Sequence, residues 1–336
     1  MTAPGSLRAC ILLLGAAILS TACQRQPDLV IDAAQLFEPE QEQRLELFHG
    51  LLLDDHDIDY RVMTLAGAPD INALAATVYD EEAIGRASSR AYGLLLLVDA
   101  ASRTVRLEVG YGLEGFFPDA FVAYIENRQM LPFFEASRVS DGILATTELI
   151  VDRAQRYALG ETALDESWLS GTGGAGATAR VGQHTLPDSP APTGPGRPAR
   201  SPEETLARYL EAMANRNSDP SLTIYTPQTR AMLRDWVMTP AQMDNVVSSY
   251  RRCRAQATRY DQTGQLAVIR YPIPQRRCAP WFFHRNGEAW QLDLTMMSEA
   301  VRFGRDNSWH FSRGVRHPYE FAFADWRFDR NGFPLE

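Results

Sequence analysis

Apart from its N-terminus, the chain of 336 residues contains no long hydrophobic run. A membrane-spanning helix needs about 18 or more consecutive apolar residues, and none follows residue 23. The chain also lacks a basic excess, since 33 Lys and Arg residues stand against 42 Asp and Glu residues, for a net charge of −9. Nucleic-acid-binding proteins carry a basic stripe, so nucleic acid is not an expected partner.

Common catalytic and metal-binding motifs are missing as well. The sequence contains no H-E-x-x-H, G-x-S-x-G or P-loop motif, and its six histidines are scattered singly. Residues 55–59 resemble the start of a calcium loop, but Tyr60 stands where such a loop needs glycine, and Ala66 where it needs glutamate. A solvated turn between a helix and a strand is the simpler interpretation.

The N-terminus has the composition of an export signal. Arg8 is the only charge in the first 24 residues, and residues 9–19 form an apolar run too short to span a bilayer. Small residues then precede Cys23, as in the bacterial lipobox, although Ser20 departs from the usual leucine. We therefore predict a signal peptide over residues 1–22 and a lipid-bearing N-terminus at Cys23. A secreted protein cut at the same place without lipid is the alternative.

This export signal predicts a location in the cell envelope, facing the periplasm. The residue after the cysteine is Gln24 rather than the aspartate that retains lipoproteins in the inner membrane, so the outer membrane is favoured over the inner one. Membrane lipid, reached through the acylated Cys23, is thus the first expected partner.

Cysteine is scarce, with four residues in the whole chain. Cys10 leaves with the signal peptide and Cys23 would carry lipid, so Cys253 and Cys278 remain. In an exported protein these two are expected to form a disulfide, with two free buried thiols as the alternative.

Changes in composition divide the rest of the chain into two blocks. Residues 23–29 form a short lipidated tether, residues 30–160 a first globular block and residues 201–336 a second. Residues 161–200 are rich in Gly, Ser and Pro and cannot bury enough apolar surface to fold by themselves. They are predicted to be a flexible linker.

The first block alternates helices and strands. Residues 93–98 form a continuous apolar run, typical of a strand buried on both faces, while residues 104–109 alternate in polarity. The short segment 100–103 between them indicates a hairpin. Helices are predicted to begin at Pro39 and Pro118, and two more are predicted to be capped by Asp70 and Ser140. The pattern predicts a three-layer α/β domain with a small mixed sheet between helices.

The second block has helices first and strands afterwards. Ser201–Glu204 and Thr239–Gln242 are both capping boxes with proline at the first helical position. Asn286 and Gly287 then separate two apolar strands, which indicates a hairpin. An α+β domain with an antiparallel sheet is expected, and it resembles the nuclear-transport-factor-like fold.

In that fold, helices pack on one curved sheet to form a cone, whose open end would suit a small ligand. Its candidate lining residues are Tyr250, Trp281, His284, Trp290 and Asp293. A plain aromatic core is the alternative interpretation of the same residues.

The string Gly110–Gly115 matches the G-x-G-x-x-G pattern, but it does not predict a dinucleotide site. It follows the third strand rather than the first strand of a βαβ unit, and Glu114 would meet a pyrophosphate with like charge. No nucleotide cofactor is expected.

With its neighbours, the same string makes the first block similar to the TPM domain family of bacterial envelope proteins. The resemblance covers residues 28–158. The resemblance rests on Val30–Leu36, Ile84–Gly85, Gly93–Val98, Val105–Gly115, Pro118–Asp119, Met130–Phe134 and Asp141–Ile143.

The resemblance implies a small sheet between helix layers and two kinds of function. Some members bind divalent metal, including calcium, with a weak acid phosphatase activity, whereas others help to maintain membrane complexes without catalysis. Transferred to this chain, it implies Glu114, Asp119 and Asp32 as Ca²⁺ ligands, since hard cations take several oxygen atoms. Alternatively, Glu114 binds its own loop and Asp119 complements a helix N-terminus.

One departure bears on catalysis. The family usually carries Asp-Asn before the glycine of its central strand, where this chain has Ala91 and Tyr92. The sequence therefore predicts a lipid-anchored accessory protein that binds or maintains an envelope complex through a protein partner. A weak metal-dependent acid phosphatase and small-ligand binding by the second block are the alternatives.

Overall fold

The computed structural model describes residues 28–163, 199–304 and 308–336. The predicted signal peptide, Cys23 and nearly all of the predicted linker lie outside these residues. Among the helices of the described ranges, none is both long enough and apolar enough to cross a membrane.

The first unit alternates strands and helices from residue 30 to residue 158. Its elements are β1 (Val30–Asp32), α1 (Pro39–His56), β2 (Asp59–Leu65), α2 (Ile71–Glu81), β3 (Gly93–Asp99), β4 (Thr104–Val109), α3 (Asp119–Tyr124), α4 (Leu131–Glu135) and α5 (Val139–Ala158). A π-helical turn, Ile125–Gln129, joins α3 to α4.

The sheet of this unit is mixed, as the hairpin signal predicted. Its order is β1-β2-β3-β4, with β1, β2 and β3 parallel and β4 antiparallel to β3. The turn between β3 and β4 occupies the short segment predicted for it, and the bounds of β4 agree with the alternating pattern.

Strand β3 is buried along its whole length. Leu94, Leu96 and Val98 face the core that α1, α3 and α5 close, while Leu95 and Leu97 face α2. Each such leucine contributes about 1.5–3 kcal/mol by leaving water. The predicted arrangement of a sheet between two helix layers is therefore confirmed.

Helix α1 begins at Pro39 as predicted, and α3 begins at Asp119, one residue after the predicted Pro118. Asp70 caps α2 by accepting hydrogen bonds from Asn72 N (2.9 Å) and Ala73 N (3.2 Å), as expected. Ser140, however, is not the cap of α5, which begins one residue earlier. Its hydroxyl instead accepts a hydrogen bond from Gln41 Nε2 (3.3 Å), so Ser140 links α5 to α1 rather than capping α5.

The second unit places its long helices before its sheet. Its elements are α6 (Pro202–Ala214), α7 (Pro227–Arg234), α8 (Pro240–Arg251), β5 (Arg259–Tyr260), β6 (Leu266–Ile269), β7 (Trp281–Asn286), β8 (Ala289–Leu292), α9 (Leu294–Ala300), β9 (Val301–Phe303), β10 (Trp309–Phe311), β11 (Arg327–Phe328) and β12 (Pro334–Leu335).

Both predicted capping residues cap their helices, but only Thr239–Gln242 is a full capping box, because the Glu204 side chain accepts from Arg200 N rather than from Ser201 N. Ser201 Oγ accepts from Glu204 N (3.1 Å), and Thr239 N donates to Gln242 Oε1 (2.9 Å). Helix α7, capped by Thr226, was not predicted.

The main sheet of the second unit has the antiparallel order β5-β6-β7-β8 and is covered on both faces. Trp281 and Phe283 point toward the core beneath α6 and α8. Phe282, between them, points the other way and stacks on Tyr319 with ring centroids 4.4 Å apart. The α+β class is thus confirmed.

Cys253 and Cys278 form a disulfide, as predicted. Cys253 follows the end of α8 and precedes β5. The bond ties the end of α8 to the loop that precedes β7.

The two units contact each other directly, which the sequence did not predict. Thr239 Oγ1 at the start of α8 donates to Gln129 Oε1 in the π-helical turn (2.8 Å), and Ala241 N donates to the Tyr124 hydroxyl (3.2 Å). Ala241 is also buried within the core of the first unit.

Replacing both disulfide cysteines by serine should destabilise the second unit. The bond closes a loop with a sequence separation of 25, worth about 3 kcal/mol in the chain-entropy model. The described tryptophans all lie in this unit, so their fluorescence during urea unfolding reports on it. The double variant should unfold at a lower urea concentration, and a reductant should lower the unfolding midpoint of the wild type in the same way. An unchanged midpoint would contradict this expectation.

Candidate functional site

The glycine string forms a loop at the edge of the sheet where β3 begins. Gly110 N donates to Gly93 O (2.9 Å), which closes the loop onto β3. A Cβ atom on Gly93 or Gly110 would lie 2.3 or 2.2 Å from the Tyr79 hydroxyl. These two glycines are therefore needed because an aromatic side chain passes directly over the backbone.

Tyr92 occupies the space beside this loop. Gly112 has φ +90°, and a Cβ atom there would lie 2.8 Å from Tyr92 Cε1. The ring also meets Phe116 edge-on with centroids 6.2 Å apart, and the Arg90 guanidinium lies 4.3 Å from its centroid. Where the family usually has asparagine, this chain thus packs an aromatic ring against the glycine loop.

The preceding residue keeps the matching backbone shape without the polar side chain. Ala91 has φ 57°, in the left-handed region that asparagine and aspartate adopt more readily than alanine. Its position is also tight, since a Cβ atom on Gly85 would lie 3.0 Å from Ala91 O. The backbone therefore retains the form that suits the family's aspartate, while the carboxylate itself is absent.

The three metal ligands that the resemblance implied lie in separate local settings. Glu114 is exposed, and its Oε2 accepts a hydrogen bond from Gly112 N (2.9 Å). Asp119 is exposed at the first position of α3. Asp32 accepts from Phe37 N (2.9 Å) and from the Thr64 hydroxyl. Among the described residues there is no group of three or more His, Cys, Asp or Glu side chains that could hold a metal ion.

The strand register explains why Asp32 and Glu114 cannot share one ion. Asp32 pairs with Thr64, which pairs with Val98 near the end of β3. The glycine loop instead follows the residue that pairs with Leu94. Four residues of β3 separate the two levels, a distance of roughly 13 Å.

A buried charge pair near the glycine loop was not anticipated from the sequence. Asp59, at the start of β2, is fully buried and accepts from Arg61 Nε (2.7 Å) and from Gly85 N (2.9 Å). Removing one partner of such a pair would leave an uncompensated buried charge. The pair thus holds the segment before β3 in place.

Glu126 is a second unanticipated group. It lies in the π-helical turn, fully buried, where its Oε1 accepts from Arg106 Nη1 (2.9 Å) and Leu107 N (3.0 Å). Its Oε2 has no partner among the described residues, and burial raises the pKa of this carboxyl to about 7. Such a group can exchange a proton near neutral pH, but in this conformation it reaches no substrate.

The five residues predicted to line a pocket in the second unit lie in different settings. Trp281 and Trp290 are buried in the core beneath α6 and α8, as the alternative interpretation held. His284 is exposed on β7. The prediction placed these side chains at an open mouth, whereas the helices close over two of them.

The remaining two have other roles. Asp293 Oδ1 caps α9 by accepting from Met296 N (3.1 Å), and its Oδ2 accepts from the Tyr319 hydroxyl (2.9 Å). Tyr250 donates to Ala279 O (3.1 Å) and borders a cleft between the two units.

That cleft is a large cavity that sequence reasoning missed. Its volume is 1710 Å³, and it is lined by α1 and α5 of the first unit together with α8 and two later segments of the second. The later segments supply residues 274–278 and 302–304, then Ser308, His310, Ser312 and Arg313, and Asn331 and Phe333 lie beside them. Because both units contribute walls, no local pattern in either block could have revealed it.

Comparison with solved structures gives several matches. One is the solution NMR structure of the N-terminal domain of a protein from P. gingivalis, which is 24% identical to this chain. The match covers 42% of this chain and 89% of that one, with a TM-score of 0.36. No curated protein gives a significant match.

A family model described as the TPM domain matches residues 30–153. The matched range extends from β1 into α5 and includes the glycine loop, the π-helical turn and the whole mixed sheet. The first folded unit of this chain is therefore a TPM domain.

Proposed function

We propose that the protein is a lipid-anchored accessory protein of the bacterial cell envelope whose TPM domain binds and maintains an envelope complex. The observation that carries the accessory role is the packing of Tyr92 against the glycine loop, where the family usually has a polar side chain. A ring in that place contributes contact surface rather than ligands for a metal or a phosphate.

The glycine loop also presents a surface suited to a protein partner. Tyr111 is 92% exposed, the highest value among the large apolar side chains of the described residues. Exposed tyrosine is enriched at protein interfaces because it combines a large apolar ring with a polar tip. Tyr92 packs against the loop at Gly112, and Gly110 N is hydrogen-bonded to Gly93 O, contacts that lower the entropy lost when a partner binds.

The anchoring part of the proposal rests on the export signal and Cys23. The TPM domain begins at Val30, and the seven residues from Cys23 to Leu29 reach at most about 25 Å when fully extended. A domain held on such a short tether meets partners that lie in or beside the membrane.

The fold of the second unit is part of the same proposal. We assign it to the nuclear-transport-factor-like class because α6 and α8 pack on one face of an antiparallel sheet.

Substituting Cys23 by serine should abolish lipidation. Cells labelled with a palmitate analogue should incorporate label into the wild type but not into the variant, which should move to the soluble fraction after lysis. A serine substitution at Cys10 serves as the control, since that residue would leave with the signal peptide. Membrane retention of the unlabelled Cys23→Ser variant would overturn the anchor.

Crosslinking in intact envelopes should recover a reproducible set of proteins with the wild type. Tyr111→Ala should reduce that recovery several-fold, since a central tyrosine commonly contributes about 2 kcal/mol to an interface. Tyr260→Ala is the matched control, because Tyr260 is also exposed but lies on the second unit. Equal recovery with all three proteins, together with phosphomonoester turnover by the purified wild type, would favour the enzyme alternative.

Calcium is proposed to bind weakly at Glu114. Calcium should raise the melting temperature of the wild type at millimolar concentration, as about 10⁻⁴–10⁻³ M dissociation constants are usual for extracellular sites. Glu114→Ala should lose that shift, whereas Glu135→Ala, at another exposed position, should keep it. A wild type without any calcium-dependent shift would refute the site.

A further inference from the structure

The cleft between the two units carries a charge opposite to that of the whole protein. Seven arginines and two acidic residues line it, although acidic residues outnumber basic ones in the chain by 42 to 33. Cationic side chains with few acidic neighbours attract anions, and a concave wall focuses their field. The ligand that suits this cleft is therefore anionic.

On the TPM side of the cleft the charges cancel. Arg44 pairs with Glu148 (2.5 Å), and Arg156 lies 3.8 Å from Asp152. These are the two acidic residues of the lining, so the first unit contributes almost no net charge there.

The excess positive charge comes from the second unit. Arg252 pairs with Glu161 across the boundary between the units. The other four arginines on this side form no ion pair with an acidic side chain of the described residues. They are Arg276, Arg277, Arg302 and Arg313.

Arg302 and Arg276 lie on one wall of the cleft. Strand register places the first, and a backbone hydrogen bond places the second. In the pair β9–β10, Arg302 lies opposite His310, and both line the cleft. Trp309 faces the aromatic core on the other side, as strand alternation requires. Trp309 N donates to Arg276 O (2.9 Å), which brings the loop before β7 alongside this hairpin.

The disulfide holds that loop in place. Cys278 follows Arg276 and Arg277 directly and is bonded to Cys253 at the end of α8. Gln275 Oε1 also accepts from Arg254 N (3.0 Å). The two guanidinium groups are thus carried on a constrained segment, which lowers the entropy lost when they bind a ligand.

Apolar side chains complete the cleft. Leu47, Leu159 and Phe303 each expose more than half of their surface, and Trp236 exposes 46%. All four line this one cavity. Clusters of exposed apolar groups mark binding sites in soluble domains, so the ligand has an apolar part as well as a negative charge.

The nature of the walls favours an acyl chain over a peptide as that apolar part. Much of the apolar wall consists of α1, α5 and α8, whose interior backbone groups are already used within the helices. An added peptide strand would find few main-chain partners there, whereas an acyl chain needs none. At 1710 Å³ the cleft also exceeds the roughly 300–1,000 Å³ of ordinary small-molecule pockets.

We propose that this cleft binds an anionic phospholipid. The phosphate lies among Arg276, Arg277, Arg302 and Arg313, whose planar guanidinium groups match phosphate oxygens in pairs. The acyl chain lies along the apolar side chains around Leu47 and Leu159. This inference goes beyond the proposed function and does not depend on lipidation of Cys23.

Binding is tested by calorimetry with residues 24–336, which retain every described residue. The probes are myristoyl lysophosphatidylglycerol, myristoyl lysophosphatidylcholine and inorganic phosphate, with each lipid kept below its micellar concentration. The anionic lipid should bind about tenfold more tightly than the zwitterionic one, because both carry the same phosphodiester but the arginines repel the choline cation of the second. Inorganic phosphate should bind more weakly than either lipid, since it lacks the acyl chain.

Two sets of variants separate the charged part from the apolar part. Arg276→Gln/Arg277→Gln should weaken the anionic lipid at least about tenfold, and Arg302→Gln/Arg313→Gln should do the same by a second route. Arg86→Gln/Arg316→Gln removes equal charge at exposed positions outside the cleft and should leave binding unchanged. Leu47→Ser/Leu159→Ser should weaken both lipids alike.

Several results would overturn the assignment. Equal affinity of the wild type for the two lipids would overturn the selectivity for an anionic headgroup. Equal losses of affinity in the control double variant would show that overall charge, rather than the arginines of the cleft, determines binding. If inorganic phosphate bound as tightly as the anionic lipid, the acyl chain would contribute nothing to the affinity. Displacement of the lipid by an equimolar acidic peptide would assign the cleft to a protein segment. None of these results alters palmitate labelling or envelope crosslinking, so the proposed function stands or falls separately.

Discussion

Burial of β3 on both faces is the constraint on which the rest of the structure depends. Its side chains alternate between two cores, so neither face can be left to water, and a helix layer is needed on each side. Helices α1 and α5 supply one layer and α2 the other. Once α1 and α5 are packed inward, their outer surfaces remain, and these form one wall of the cleft between the units.

The same strand positions the glycine loop. Its first residue, Gly93, lies under the Tyr79 hydroxyl beside Gly110, so backbone and aromatic side chain approach more closely than any Cβ atom permits. In this chain Tyr92 completes the packing with a second ring. The Tyr92 ring thereby fills the space beside the loop, where a side chain at Gly112 would displace it.

The second unit contributes charge where the first contributes apolar surface. Its disulfide, its β9–β10 pair and the loop before β7 hold four arginines toward the cleft, while its aromatic core lies behind them. The units are joined by hydrogen bonds from the start of α8 to Tyr124 and Gln129, so the two walls of the cleft are held in a defined relation.

Local patterns in the sequence determined the mixed sheet, most helix starts, the cysteine pairing and the TPM resemblance. These features depend on neighbouring residues or on two unpaired cysteines, and residues such as Asp70 and Thr239 act within one turn. Only the tertiary structure decided that Asp32 and Glu114 lie at different levels of the sheet, that Trp281 and Trp290 are core, and that arginines converge between the units. Those outcomes depend on strand register and on packing between distant segments, which no local periodicity encodes.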